Sequence, residues 1–330
     1  MKVQKASRIG VVVADHALRG AQRIDGKLVT GSVPLGGDFR KDLKQLLSSS
    51  PFIGKDLVVG LEGGDVLVES LVVPPGASKS ARAVCAERLK GDPVFNESNA
   101  ALGVAVDGDA DRFGIVDADG AYIHANHVLG LLSDYLIASR GWRGEIVRSV
   151  PTSHLLDAVA GHHGASVVET PTGFKYIGER SLEAPEEFIL GGEESNGMTV
   201  RGHIPEKDGI LACLLVAEMV AVRGATLSQL LEDLFARVGR REVDRLDLEL
   251  PDERKRALLT RFDDDPPTEF AGRRVERIVT LDGHKLVLDG GAFIALRASG
   301  TEPLVRCYLD ATDMDEMAVL KDAARELIAS

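Results

Sequence analysis

Ala100-Ala101-Leu102-Gly103-Val104-Ala105-Val106-Asp107-Gly108-Asp109-Ala110-Asp111-Arg112 is the stretch on which the reading of the fold turns. Its first seven residues are an apolar run of strand length. Its last six place carboxylates at alternate positions with small residues between them. Three carboxylates so close repel one another unless a cation sits among them, which points to a hard, oxygen-preferring divalent ion. Gly108 and Ala110 are small enough for the backbone to curl and bring the three together. An acidic turn at a strand end is the alternative. A calcium loop of the helix–loop–helix kind does not fit, because its later Gly and closing Glu are not at their offsets.

Outward from this loop, composition bounds the rest. The chain has 330 residues, enough for two or three domains with cores of their own. The net charge of −12 argues against general nucleic-acid binding, and an anionic ligand would need a local cluster of cationic groups and N–H donors. No apolar run is long enough to span a membrane, and no signal-peptide core follows Met1-Lys2-Val3, so membrane insertion is not expected and a cytoplasmic location is. Cys85, Cys213 and Cys307 are isolated, which predicts neither a disulfide framework nor a zinc site.

Ahead of the loop, the pattern predicts a strand over residues 8–13, a strand pair across Asp25-Gly26, a helix over 39–48 and strands over 57–61 and 66–73. A helix from Ser78 to about Leu89 and a polar linker over 91–99 follow. Behind it come a hairpin across Asp119-Gly120 and then alternating helices and strands: helix 127–138, strand 145–150, helix 153–160, strand 166–169, strand 188–190. This is the order of βαβ units with parallel pairing. Ligands of such sheets sit beyond the carboxyl ends of the strands, where Thr170–Lys175 and Gly191–Asn196 fall. Helices over 208–222 and 227–236 complete this part. Around Gly239 the pattern changes to antiparallel strand pairs with helices over 252–262 and 313–328, a separate α+β domain.

Four loops then carry a resemblance. Asp107–Arg112, Thr170-Pro171-Thr172-Gly173-Phe174-Lys175, Gly192-Glu193-Glu194-Ser195-Asn196-Gly197 and Arg297-Ala298-Ser299-Gly300-Thr301-Glu302-Pro303 resemble, in order, the metal, active-site, sugar and phosphate loops of the α-D-phosphohexomutases, the phosphoglucomutase/phosphomannomutase family. The resemblance covers about residues 100–330. It implies a multidomain, mixed α/β fold of three-layer domains followed by a C-terminal α+β domain with an antiparallel sheet. The expected divisions are 1–95, a small α/β segment atypical of the family; 96–125, a metal-loop remnant of the family's second domain; 126–238, the sugar-binding domain; and 239–330, the phosphate-binding domain.

The resemblance also implies roles. Asp107, Asp109 and Asp111 would hold Mg2+, with Lys175 and Arg112 near the phosphoryl group that moves. Thr172, Gly173, Glu193 and Ser195 would bind the sugar; Arg297, Ser299, Gly300, Thr301 and Arg306 would bind the phosphate that does not move. The residues themselves suit these roles. A lysine in a recessed loop pairs with phosphate or assists proton transfer. A carboxylate and a hydroxyl one residue apart on an extended loop face the same way, toward vicinal hydroxyls. Two guanidinia, two hydroxyls and glycine-exposed N–H groups make a dianion cradle.

Two departures matter. Asn196 stands where Gly is commoner, and Gly197 where some members carry His, which bears on sugar preference. The family's phosphoserine motif, Ser-His-Asn-Pro, does not occur; in Thr152-Ser153-His154-Leu155 the hydroxyls read as helix N-caps. The implied reaction is intramolecular phosphoryl transfer on a hexose phosphate through a hexose bisphosphate, with the chain alone expected to be inactive for want of that loop. A noncatalytic sugar-phosphate-binding or regulatory protein is the alternative. So is a pilus-assembly scaffold component, since the strand order of residues 1–95 resembles the first subdomain of actin-like pilus-assembly proteins. Oligomeric state is not legible from the sequence.

Overall fold

The computed structural model describes residues 9–14, 17–24, 27–34, 45–46, 48–49, 57–61, 101–298 and 303–329. The strand expected at 66–73, the helix at 78–89, the linker at 91–99 and residues Ser299, Gly300 and Thr301 of the phosphate loop lie outside the described residues. The chain divides into two compact units, residues 1–103 with 118–121, and residues 104–117 with 122–330.

In the first unit, β1 (Ile9–Ala14), β2 (Ala17–Ile24), β3 (Lys27–Pro34) and β4 (Leu57–Leu61) form one sheet in the order β3-β2-β1-β4. β2 pairs antiparallel with both β1 and β3, and β1 pairs parallel with β4. Pro34 ends the outer strand β3, a place where its missing N–H breaks no ladder. Residues 45–46 and 48–49 are helical, and all but Ser49 fall within the expected helix.

The second unit begins, from Val104 on, with a small sheet of β5 (Leu102–Val106), β6 (Phe113–Asp117) and β7 (Tyr122–Ile123), whose order is β5-β6-β7. Next come α1 (Ala125–Arg140), β8 (Glu145–Ser149), α2 (Leu155–His163), β9 (Ser166–Thr170), α3 (Phe174–Glu183), β10 (Phe188–Glu193) and β11 (Gly197–Val200). Two further helices, α4 (Gly209–Arg223) and α5 (Leu227–Val238), close this part. The sheet order is β11-β10-β8-β9; β8 is parallel to both β9 and β10, and β10 to β11 is an antiparallel hairpin. The layers can be read from two glycines. A Cβ on Gly191 would lie 2.3 Å from Ile177 of α3, and one on Gly192 would lie 2.5 Å from Leu129 of α1. Successive strand residues face opposite ways, so α1 and α3 cover opposite faces of the sheet.

The last part runs β12 (Glu242–Glu249), α6 (Asp252–Asp264), β13 (Glu269–Phe270), β14 (Arg273–Val279), β15 (His284–Leu288), β16 (Phe293–Ala298), β17 (Leu304–Ala311) and α7 (Met314–Ala329). Its sheet order is β12-β17-β16-β15-β14-β13, antiparallel throughout. Alternation divides the two faces. Leu286, Ile294, Leu296, Val305, Cys307 and Leu309 bury one face under Leu258 and Phe262 of α6 and Met317 and Leu320 of α7. Val287, Phe293, Ala295 and Tyr308 make a smaller cluster on the other. On that second face Arg297 pairs in register with Arg306, so alternation sets both guanidinium-bearing residues in one row at its end.

That face is joined to the three-layer part by buried polar contacts. Lys285 is fully buried, and its Nζ donates to Val150 O at 2.9 Å and Glu169 Oε1 at 2.8 Å while lying 4.0 Å from the Phe293 ring centre. Arg148, also buried, donates to the same Glu169 oxygen at 2.7 Å and grips Asp157 with two nitrogens. Asp310 accepts from the Ser153 hydroxyl and from His154 N at 3.1 Å. This corrects the capping expectation for Thr152 and Ser153. Helix α2 starts at Leu155 with His154 at its N-cap and no side-chain cap. Ser153 Oγ still accepts from Leu155 N, and it donates its own proton to the buried Asp310 carboxylate in a charge-assisted bond.

Candidate functional site

The acidic loop between β5 and β6 is held by its own backbone. Asp107 O accepts from Ala110 N at 3.1 Å, and Asp107 Oδ1 accepts from Arg112 N at 3.2 Å. Ala110, not Gly108, takes the left-handed conformation, with φ of 60°. Its carbonyl accepts from Gly209 N at 3.0 Å. Gly209 is required there, because a Cβ would lie 2.4 Å from Arg112 O. The start of α4 thus braces the loop. Ligand atoms of Asp107, Asp109 and Asp111 all lie within 4.8 Å of one another. An all-carboxylate, partly exposed donor set of this kind fits a hard cation such as Mg2+, which keeps some of its water.

Lys207 Nζ sits 2.7 Å from Asp111 Oδ2. Burial alone would raise the Asp111 carboxyl, but the Lys207 hydrogen bond and charge hold it below the usual carboxylate range. Asp107, without such a partner, is raised by burial and by the charges of Asp111 and Asp109 against the pull of Arg112 N–H. Lys207 was not found from the sequence. It stands one residue before the helix expected over 208–222, in a stretch with no motif of its own.

The second loop is tied to the first. Asn196 O accepts from Phe113 N at 3.0 Å, and Asn196 Nδ2 donates to Phe113 O at 2.9 Å and to Tyr122 Oη at 3.0 Å. Arg112 and Gly197 form an isolated β-bridge. Asn196 has φ of 75°, a conformation in which Asn is the best substitute for Gly. The expectation of an extended loop carrying Glu193 and Ser195 on one side is corrected here. Strand β10 continues through Gly191 and Gly192 to Glu193, and Ser195 sits inside a three-residue turn, so alternation does not relate the two side chains. Glu193 is buried, and its Oε1 accepts from Gly173 N at 2.7 Å. Burial raises its carboxyl, opposed by Gly173 N–H and by the charges of Lys207, Arg112 and Arg297.

Lys175 is also corrected. It is not in a recessed loop but in the first turn of α3, exposed, with Nζ 4.6 Å from the Tyr176 ring centre. Phe174 takes the inward position of that turn and joins Val147, Ile177 and Phe188 in the core, which turns its neighbour outward. Arg112 is exposed, 3.9 Å from Asp111 Oδ1. Thr172 N donates to Asp282 Oδ2 at 3.0 Å, and its Oγ1 is buried with no hydrogen-bond partner among the described residues. Arg297 Nε lies 2.9 Å from the same Asp282 oxygen. Arg306 is the register partner of Arg297 on β17. Carboxylate loop, Glu193 and Arg297 therefore lie on one side of the second unit, each linked to the next by side-chain or backbone contacts.

Beneath the Glu193 turn lies Glu194, half-buried as a residue but with its carboxyl enclosed. Its Oε2 accepts from Ser149 Oγ at 3.2 Å and its N donates to Thr152 Oγ1 at 3.2 Å. Burial, then the Glu193 charge, pushes its carboxyl up to about 7, and burial pushes Asp310 up to about 6. A carboxyl raised in the folded state is protonated there before it is in the unfolded chain. Its contribution to stability therefore grows as pH falls from the folded value toward the unfolded value of 4.5 for Glu or 3.8 for Asp. Urea unfolding of Glu194→Gln is expected to show a gain of order 1–3 kcal/mol at pH 8 and a shallower rise in stability from pH 8 to pH 5 than the unaltered chain. Equal slopes would mean that Glu194 ionises as an ordinary surface carboxylate.

The three-layer and antiparallel parts thus carry a carboxylate cluster and a pair of guanidinia on loops linked by hydrogen bonds. Comparison with known proteins narrows this. Residues 124–238 match the model of phosphoglucomutase/phosphomannomutase α/β/α domain III, and residues 240–327 match that of the C-terminal domain of the same family. The phosphoglucomutase/phosphomannomutase of Thermococcus kodakarensis is 31% identical over 231 residues, 68% of this chain and 46% of that protein. A structure from Thermus thermophilus assigned as a phosphomannomutase superposes with a TM-score of 0.60 at 32% identity, over 75% of this chain and 49% of that one. In fold alone, N-acetylphosphoglucosamine mutase of Aspergillus fumigatus, solved in complex with GlcNAc-6P and magnesium, superposes with a TM-score of 0.51 at 15% identity, over 88% of this chain and 59% of that one. The chain belongs to the phosphoglucomutase/phosphomannomutase family. It spans about half the length of the curated relatives it matches. Among the described residues no single helix is long and apolar enough to cross a membrane.

Proposed function

We propose that this chain binds a hexose phosphate, or the hexose bisphosphate derived from it, across the face just described and serves phosphoryl transfer of the phosphohexomutase type. The observation that carries the reading is the physical linkage of four loops distant in sequence, through Asn196 to Phe113, Gly173 to Glu193, and Thr172 and Arg297 to Asp282. Arg297 and Arg306, with the loop residues Ser299, Gly300 and Thr301, hold the phosphate that does not move. Glu193 keeps one oxygen on Gly173 N and offers the other, with Ser195, to ring hydroxyls. Thr172 and Gly173 bring backbone close to the sugar, and Lys175 and Arg112 add positive charge toward the phosphoryl group that moves.

Asp107, Asp109 and Asp111 are the residues that would hold Mg2+, in keeping with its presence in the fungal mutase complex. When bound there it neutralises charge developing on the transferring phosphoryl oxygens. Binding without turnover is the second reading, favoured by the absence of Ser-His-Asn-Pro from the sequence.

Isothermal titration with α-D-glucose 1,6-bisphosphate in the presence of magnesium tests the site. The unaltered chain is expected to bind, and Arg297→Ala to bind at least about tenfold more weakly, the worth of a charge-assisted pair with a dianion. Equal affinity in the two, or no heat from either, removes the proposal. A coupled assay on glucose 1-phosphate separates turnover from binding.

A further inference from the structure

Asp282-Gly283 reads in sequence as an ordinary hairpin turn, and nothing in the resemblance gives Asp282 a role. Its surroundings do. Gly283 has φ of 81°, and a Cβ on it would lie 2.3 Å from Leu296 O. The β14–β15 turn is thereby pressed against the backbone of β16 beside Arg297. One oxygen, Asp282 Oδ2, both accepts from Thr172 N at 3.0 Å and pairs with Arg297 Nε at 2.9 Å. The next amide along, Gly173 N, is taken by Glu193. Two consecutive amides at the start of α3 are thus held by carboxylates from two different sheets.

We infer that Asp282 is a positioning residue for the anion site: it fixes the guanidinium plane of Arg297 and ties it to the Thr170–Gly173 loop. The inference rests on the sugar-phosphate reading above. The choice of nitrogen supports it. A carboxylate that competed with a phosphate for Arg297 would take the forked Nη edge, the edge suited to a bidentate dianion. The nearest approach of Asp282 is to Nε rather than to either Nη, and a carboxylate on Nε orders the guanidinium plane. An arginine otherwise loses considerable rotamer freedom on binding, and a carboxylate that has already ordered it removes that cost from the binding step. Because the same oxygen holds Thr172 N, the cradle for the distal phosphate and the loop next to the sugar are set in register with each other.

The test uses the full chain and α-D-glucose 1,6-bisphosphate, titrated calorimetrically at fixed ionic strength against the unaltered protein, Asp282→Asn, Arg297→Ala and the double variant. Asn suits the position before Gly in a hairpin, and Asp282→Ser serves as a second substitution if the first folds poorly by circular dichroism. The expected result is about tenfold weaker binding for Asp282→Asn and no further weakening when it is added to Arg297→Ala, since the residue acts through that guanidinium. Amide hydrogen exchange at Thr172, read without ligand, is expected to quicken in Asp282→Asn. Unchanged or tighter binding by Asp282→Asn overturns the inference, as does an equal loss in the Arg297→Ala background. Unaltered exchange at Thr172 overturns the tie between the loops. No binding by the unaltered chain refutes the sugar-phosphate reading itself and takes this role with it, an outcome distinct from normal binding by both proteins.

Discussion

Replacing Glu169 with leucine is expected to destabilise the chain by about 3–5 kcal/mol, the cost of leaving a buried charge without its partner. Glu169 Oε1 serves both Arg148 and Lys285, two side chains at 2% and 0% exposure. Asp157 still neutralises Arg148 when Glu169 is gone, so the orphan is Lys285, held between Val150 O and the Phe293 ring. Lys285→Met should cost much less, because Glu169 keeps Arg148 and the methionine fills the same space. The double variant should recover most of the loss. Burial already lowers the Lys285 amine to about 8. A base lowered in the folded state penalises folding while it must be charged and ceases to do so as pH climbs from the folded value to the unfolded value of 10.5. Glu169 opposes that lowering, so in Glu169→Leu the relief with rising pH begins earlier. Urea unfolding of the three variants from pH 7 to pH 10 checks both statements; a Glu169→Leu loss under about 1 kcal/mol would show that water reaches the lysine.

Asp109→Ala is expected to weaken divalent-cation binding at least about tenfold, and Lys207→Met to strengthen it. Removing an outer partner of a metal ligand already costs about 10–100-fold, and a direct ligand should cost no less. Lys207 works in the other direction. Its ammonium lies on Asp111 Oδ2 and takes the place of a cation there, so a metal must displace it or share the oxygen. Manganese titration followed by the loss of the free-ion electron paramagnetic resonance signal reads both affinities without any need for turnover. Weaker binding by Lys207→Met would mean that the lysine orders Asp111 for the ion. Equal binding by Asp109→Ala would mean that the aspartates are a solvated turn.

Much of this layout was legible, and the errors have physical causes. The C-terminal part was expected as antiparallel strand pairs with two helices, and its sheet is antiparallel throughout, although β15, β16 and β17 are nearly continuous in apolar residues because both faces are covered. The four loops were legible because each packs small residues and charges into a few consecutive positions. Gly191 and Gly192 misled, because glycine usually marks a loop. Here both lie inside β10, where a side chain would strike Ile177 or Leu129 from the helices above and below. The extended geometry assigned to Glu193 and Ser195 failed for that reason. Lys175 was misplaced because a loop reading ignores the turn of helix that starts at Phe174. Lys207, Asp282, Glu169 and Lys285 were invisible in any single stretch. Each is one charge in an ordinary context, and its partner lies 96, 110 or 116 positions away. Such pairs are defined by tertiary approach, which local periodicity does not encode.

The order β12-β17-β16-β15-β14-β13 joins the first strand of the C-terminal sheet to its last long one. Every other neighbour in that sheet is also a neighbour in the chain, but Glu242 meets Ala311. During synthesis, therefore, the three-layer part can finish its sheet once Val200 has emerged, while the edge of β12 waits for about seventy more residues to leave the ribosome. Over that interval the strand is an open template for its own kind, and the charges spaced along it, Glu242, Asp244, Arg245, Asp247 and Glu249, are the sort of side chains that keep nascent edges from pairing with strangers.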